Sequence, residues 1–118
     1  MEEYQKRKLL EAGIDVDSGM ERFLENEELY LKFLMKFPAD ENYQGILDTM
    51  EKNECSEAFR CAHTLKGLAG NLSFNYLYQS LIPFVEELRI GNWAGANELR
   101  PDIEKSYQVT VEALKALT

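Results

Sequence analysis

The only histidine of the chain, His63, is the side chain around which chemistry could be organised. Arg60 and Lys66 carry positive charge on either side of it, and Gly67 and Gly70 follow within two helical turns. Residues three or four apart are neighbours on a helix, so Lys66 can bring its ammonium close to the imidazole. There it would favour the neutral ring and attract an anion, with Arg60 adding to the positive field. These residue types indicate a neutral imidazole nitrogen that attacks an activated phosphorus.

A helix over residues 56–72 places this histidine opposite an apolar stripe. At about 100° per residue, one side of the helix collects the apolar residues, namely Ala58, Ala62, Leu65, Ala69 and Leu72. The opposite face is the predicted partner surface, which comprises Arg60, Lys66, Gly67, Gly70 and Asn71 around an exposed His63. Phe59 is assigned either an apolar contact on this surface or a place in the core.

The two glycines favour a functional surface. A glycine inside a helix costs about 1 kcal/mol relative to alanine, and here two occur within one turn. Without side chains, Gly67 and Gly70 would let a partner backbone or a phosphoryl group approach the ring. The alternative is that His63 is an ordinary solvated residue and that the glycines serve helix packing.

Residues 1–38 are predicted to form short N-terminal helices. Apolar residues recur there at helical spacing, and no strand-like alternation is present. Gly13 ends the first helix in this prediction, Asp17 and Asn26 cap the next two, and Pro38 ends the third.

Residues 39–118 are predicted to hold four amphipathic helices with short connections. That pattern favours an all-α fold, an antiparallel four-helix bundle with additional short N-terminal helices, in a single domain over residues 1–118. The predicted caps and breaks of these four helices are Asp40, Ser56, residues 71–73, Gly91 and Asn92. Pro83 predicts a kink near Gln79, and Pro101 predicts a split of the last helix.

Composition excludes several classes of protein. A hydrophobic content of 45% argues against disorder, and a net charge of −8 argues against nucleic-acid binding. One histidine without a Glu-x-x-His motif excludes multi-histidine metal sites, so no metal is expected. Cys55 and Cys61 lie too far apart on one helix to bridge easily, which predicts free thiols. With no signal-peptide core and no membrane-spanning run, a cytoplasmic protein away from the membrane is expected.

The segment AHTLKGLAGNL, residues 62–72, resembles the signature of histidine-containing phosphotransfer (HPt) domains, His-x-Leu-Lys-Gly followed by small and apolar residues. The stretch GIDVDSGMERFLENEELYLKFLMKFP is similar to the lead-in of many such domains. Together the likeness covers nearly the whole chain. It implies a four-helix bundle in which His63 carries a phosphoryl group between receiver domains, with Lys66 and Gly67 as the lysine and glycine of the motif.

The resemblance also implies which protein supplies each part of the phosphotransfer site. The receiver supplies Mg²⁺ and the acidic pocket, so this chain would need no cofactor and would not itself be an enzyme. Its expected partners are response-regulator receivers, a hybrid sensor histidine kinase or both, and it is expected to be a monomer. Ser73 stands where the family commonly has glycine, and it is predicted to serve as a helix cap instead.

A helical adaptor that binds a partner without phosphorylation is the alternative. The acidic surface and the aromatic residues Tyr30, Phe33 and Phe37 support it. Those aromatic residues recur at core spacing, which is more typical of packing than of an interface.

Overall fold

The computed structural model describes residues 1–118, and the chain is helical throughout. Its α-helices are α1 (Glu3–Glu11), α2 (Val16–Arg22), α3 (Glu27–Lys36), α4 (Asn42–Glu51), α5 (Cys55–Asn71), α6 (Asn75–Arg89) and α7 (Trp93–Leu114). Short 3₁₀ turns follow α3 and α7, at Phe37–Ala39 and Lys115–Leu117. The predicted all-α class is confirmed.

Consecutive helices make the most extensive contacts, with α4 on α5, α5 on α6 and α6 on α7. Helices α4 and α7 also contact each other. The ring of Tyr43 in α4 stacks on that of Tyr107 in α7, with 3.9 Å between the ring centroids. One cluster of buried apolar side chains runs through the molecule, and it includes Leu9 of α1, Leu34 of α3 and Leu65 of α5. None of the helices combines the length and apolarity needed to cross a membrane.

Several predicted helix ends are confirmed. The side chains of Asn26 and Asn92 each accept a hydrogen bond of 3.1 Å from the backbone N–H three residues ahead, which caps α3 and α7. Gly13 and Gly91 adopt left-handed backbone conformations, with φ of 80° and 76°, just after α1 and α6. These signals depend on neighbours in sequence, so the sequence was sufficient to place them.

Other predicted caps are wrong by one or two residues. Asp15, and not Asp17, caps α2 by accepting a bond of 3.1 Å from the backbone N–H of Ser18. Helix α5 begins at Cys55, so Ser56 lies inside its first turn instead of before it. Asp40 does bond the first N–H of α4, although the residue after it occupies the cap position.

The two internal prolines do not interrupt their helices. Helix α6 continues through Gln79 and Pro83, and α7 continues through Pro101, so the predicted split of the last helix is wrong. The two helices pack along each other, and the hydroxyls of Ser80 and Ser106 join them at 2.6 Å. Tertiary packing of this kind keeps a helix continuous where proline removes one hydrogen bond.

The N-terminal helices attach to the connection between α5 and α6, residues 72–74, which we call the α5–α6 junction. Ile14, between α1 and α2, forms an isolated antiparallel bridge with Phe74. The N–H of Asp15 donates to the carbonyl of Ser73 at 2.9 Å. The start of α2 is therefore held directly against the end of α5.

Tyr30 of α3 makes a second attachment to this junction. Its buried hydroxyl donates a hydrogen bond of 2.8 Å to the carbonyl of Leu72. Gly19 of α2 makes room for the ring, since a Cβ at this position would lie 2.2 Å from the Tyr30 Cζ. Both α2 and α3 are thus fixed against the C-terminal end of α5.

Candidate functional site

His63 lies on the exposed face of α5, as predicted, and the opposite apolar stripe of that helix is buried. Phe59, one turn earlier, stacks on the imidazole with 5.6 Å between ring centroids and 17° between ring planes. The Phe59 ring also packs against the core. It therefore supports one face of His63 and leaves the remaining ring surface accessible.

Gly67 is open to solvent beside this histidine. A Cβ added there would meet no atom within 4 Å, so the predicted clear approach is present. Gly70 differs, because a Cβ there would lie 3.2 Å from Cε1 of Tyr78. The expectation of open surface at Gly70 is wrong: the absent side chain lets the Tyr78 ring of α6 pack on α5.

A cleft of about 520 Å³ opens between α2, α5 and α6, and His63 is part of its wall. The residues that line it are mostly polar, and they are Arg22, His63, Lys66, Gly67, Gly70, Asn71, Asn75, Tyr78 and Gln79. The predicted site residues Lys66, Gly67, Gly70 and Asn71 are thus brought together with the histidine. No aspartate or glutamate lines this cleft, although the chain carries 21 acidic residues.

The two predicted cations behave differently. The Lys66 ammonium lies over the ring of Tyr78, 5.9 Å from its centroid, inside the cleft. Arg60 instead forms an exposed ion pair with Glu57 at 2.9 Å, and that hydrogen bond raises the pKa of its guanidinium. Because Arg60 is paired and does not line the cleft, its predicted contribution to the charge around His63 is not supported by the geometry.

Four residues outside α5 also line the cleft, and none of them is among the predicted site residues. Arg22, the last residue of α2, is a second positively charged residue of the cleft. Nothing in its neighbouring sequence predicts that it lies beside α5. Asn75, Tyr78 and Gln79 come from the first turns of α6. Their spacing of three and four residues marks one helix face, so this polar face could have been predicted.

Ser73 has a different role from the predicted one. Its backbone is left-handed, with φ of 61°, and its side chain is buried and caps no helix. The hydroxyl donates to that of Ser18 in α2 at 3.2 Å, and Phe74 occupies the cap position of α6. Glycine would adopt this backbone conformation without the steric cost that a Cβ brings.

The remaining candidate chemistry is limited. Cys55 is half-buried and Cys61 is buried, and both are free thiols, as predicted. No group of three or more His, Cys, Asp or Glu side chains is arranged to hold a metal ion.

The comparisons with known proteins add no further assignment. No family model matches the chain, and no curated protein or solved structure is significantly similar to it. The functional interpretation of His63 therefore depends on the geometry of the cleft and on the resemblance of residues 62–72 to the HPt signature.

Proposed function

We propose that the chain is a histidine phosphocarrier of a two-component phosphorelay. A ring nitrogen of His63 attacks the phosphorus of an aspartyl phosphate on a receiver domain. The N–P bond forms as the P–O bond breaks, and the electron pair of that bond leaves with the aspartate carboxylate. The single proton of the neutral ring, on the nitrogen that does not attack, is then released to solvent. The reverse step passes the phosphoryl group to the aspartate of another receiver.

The observation that carries this proposal is the accessibility of the imidazole. His63 is exposed on a helix that is otherwise anchored in the core, and Gly67 leaves the adjacent surface clear. Phosphoryl transfer depends mainly on positioning and on neutralising charge, so an accessible and well-supported nucleophile is the essential contribution of a carrier. Phe59 supplies that support by stacking on the ring.

The polar surroundings suit an incoming phosphoryl group. Lys66 provides a positive charge in the cleft, and no carboxylate lines it to repel an anion. Mg²⁺ and the acidic pocket would come from the receiver, so this chain would act as a carrier without catalytic machinery or cofactor of its own. The proposed partners are receiver domains, a hybrid sensor histidine kinase or both, in the cytoplasm, with the carrier as a monomer.

The helices α4 to α7 would form the antiparallel four-helix bundle of such a carrier. The contacts between consecutive helices and the stacking of Tyr43 on Tyr107 support this arrangement, since they connect each helix to its neighbours. The shorter helices α1 to α3 would cover one end of the bundle at the α5–α6 junction.

Labelling by phosphorylated receivers tests the proposal. The purified chain should acquire acid-labile phosphate from one or more receivers of the same organism, and His63→Gln should abolish it. Because His63 is exposed, we expect the variant to keep the circular dichroism spectrum and the unfolding midpoint of the wild type. Labelling that persists in His63→Gln, or a wild type that no receiver labels, would contradict the assignment.

A non-phosphorylated adaptor remains the second candidate because one of the three aromatic residues that support it is exposed. Tyr30 and Phe37 are buried in the core, but Phe33 is 43% exposed at the edge of an apolar groove. An adaptor would bind its partner equally well before and after incubation with a phosphodonor, and His63→Gln would leave that binding unchanged.

A further inference from the structure

We infer that Arg22 binds the phosphoryl group carried by His63, as the second cation of the cleft. This inference rests on the proposed phosphocarrier function. Arg22 belongs to α2 and lies in the lead-in stretch, outside the signature segment of residues 62–72, and neither segment assigns it a role. Its place in the cleft wall follows from how α2 packs against the α5–α6 junction.

The charges around the cleft support the assignment. Arg22 and Lys66 both line it, and neither forms an ion pair, whereas the nearby Arg60 is paired with Glu57. No carboxylate lines the cleft in a chain whose net charge is −8. Two cations without an ion pair, on a wall without carboxylates, form a local site for an anion.

The hydrogen bonds between α2 and the α5–α6 junction fix where the last residue of α2 lies. At the start of α2, the N–H of Asp15 is bonded to the carbonyl of Ser73. One turn on, the hydroxyl of Ser18 accepts a bond from that of Ser73. Since α2 spans only Val16–Arg22, these attachments also determine the position of its C-terminal turn. Arg22 is therefore directed to the cleft by the fold and not by its own side-chain partners.

The chemistry of arginine suits this position. A guanidinium presents several donors in one plane and can bind two oxygens of a phosphoryl group at once. Lys66, from α5, would act as a point charge on the same group. Cations on two different helices could then hold the phosphoryl oxygens while the N–P bond forms or breaks, when charge on those oxygens must be neutralised.

Binding of inorganic phosphate tests the anion site without any transfer reaction. His63 is the only histidine, so its ring resonances report on this cleft alone. Phosphate titrated at fixed pH and constant ionic strength should shift them in the wild type. We expect Arg22→Gln to weaken the apparent affinity roughly threefold to tenfold, Arg22→Lys to recover part of it, and Arg60→Gln to match the wild type. Equal affinities in Arg22→Gln and the wild type would overturn the inference.

Two phosphodonors separate phosphoryl binding from partner docking. Phosphoramidate transfers its phosphoryl group to an imidazole nitrogen and releases ammonia, without any protein partner. Arg22→Gln should slow labelling of His63 by phosphoramidate and by a phosphorylated receiver to a similar extent, again roughly threefold to tenfold. If only the receiver reaction slows, Arg22 contacts the partner protein and the phosphoryl-binding role is wrong.

The same experiments distinguish failure of the inference from failure of the proposed function. If Arg22→Gln is labelled at the rate of the wild type, the phosphocarrier function stands and the role of Arg22 does not. If neither donor labels the wild type, yet phosphate binding depends on Arg22, the anion site stands and the phosphocarrier function is contradicted.

Discussion

The hydroxyl of Tyr30 donates a hydrogen bond of 2.8 Å to the carbonyl of Leu72, across a separation of 42 residues. This bond connects α3 to the residue that immediately follows the helix carrying His63. The carbonyl of Leu72 lies at the end of α5, where backbone acceptors have no partner within the helix. The contact satisfies that acceptor and holds the N-terminal helices against the α5–α6 junction.

Replacing this tyrosine should cost stability without removing a large side chain. We expect Tyr30→Phe to lower the free energy of unfolding by about 1–2 kcal/mol, because a buried carbonyl loses its donor. Urea unfolding followed by circular dichroism measures the loss. Tyr4→Phe is the matched control, since Tyr4 is exposed, and it should leave the free energy unchanged. A Tyr30→Phe protein as stable as the wild type would show that the bond contributes nothing.

Stability should also fall in alkaline solution. Burial raises the pKa of Tyr30 well above its ordinary value near 10, with Asp15 adding to the shift, and burial also raises the pKa of Tyr43 and Tyr107. The neutral forms are favoured in the native state, so their contribution is complete below about pH 10 and is lost as pH rises above it. Unfolding free energies from pH 8 to 11 should show this decline, and Tyr30→Phe should make it less steep. An equally steep decline in the variant would contradict the assignment to Tyr30.

A small side chain at position 67 should leave the protein folded and functional. A large one should leave it folded but slow phosphotransfer. We expect Gly67→Ala to raise the free energy of unfolding by about 0.5–1 kcal/mol, since alanine is the better helix former and its Cβ meets open space. Gly67→Glu and Gly67→Gln should remain folded but slow phosphotransfer from a receiver at least about tenfold, by filling the approach to the imidazole. If only the glutamate slows transfer, its charge and not its bulk is responsible. Unchanged rates in both would remove the proposed role of Gly67.

Replacing Gly19 with alanine should lower the free energy of unfolding, whereas Gly67→Ala should raise it. A Cβ there would lie 2.2 Å from the Tyr30 Cζ, in a region where both residues are buried. We expect Gly19→Ala to lower the free energy of unfolding by about 1–3 kcal/mol, since overpacking forces the ring or the helix to move. Gly67→Ala is its matched control on an open helix surface. A stabilised Gly19→Ala would show that α2 is not packed on the Tyr30 ring.

Ser73 offers a measurement of backbone strain. Both Ser73→Ala and Ser73→Gly lose the hydrogen bond to Ser18, but only glycine relieves the left-handed conformation. We therefore expect Ser73→Gly to be more stable than Ser73→Ala by about 1 kcal/mol. Thermal or urea unfolding of the two variants gives this difference directly. Equal stabilities would mean that the junction adapts to either residue.

The sequence was sufficient where a feature depends on residues close together along the chain. The exposed face of α5 and the open surface at Gly67 follow from helical spacing around His63. The caps at Asn26 and Asn92 follow from side-chain bonds to the backbone three residues ahead. Each of these interactions is local, so its signal is contained within one or two helical turns.

Features that depend on distant residues could not be predicted in this way. Gly70 is interpreted correctly only when the Tyr78 ring is known to cover it. The left-handed conformation of Ser73 accompanies contacts with the segment before α2, and Arg22 reaches the cleft by the same packing. Arg60 satisfies the spacing rule for a neighbour of His63, but its guanidinium binds Glu57 instead.

The α5–α6 junction has a consequence for the order in which the cleft is completed. The most extensive contacts among α4 to α7 join helices that are adjacent in the chain, and such local contacts form quickly during folding. The bonds that bring α2 and α3 to the junction span 55 and 42 residues, so closing them requires much longer loops. The histidine side of the cleft can thus assemble first and the Arg22 side last. Partial opening of the N-terminal helices would then remove one wall of the cleft while the helix that carries His63 stays folded.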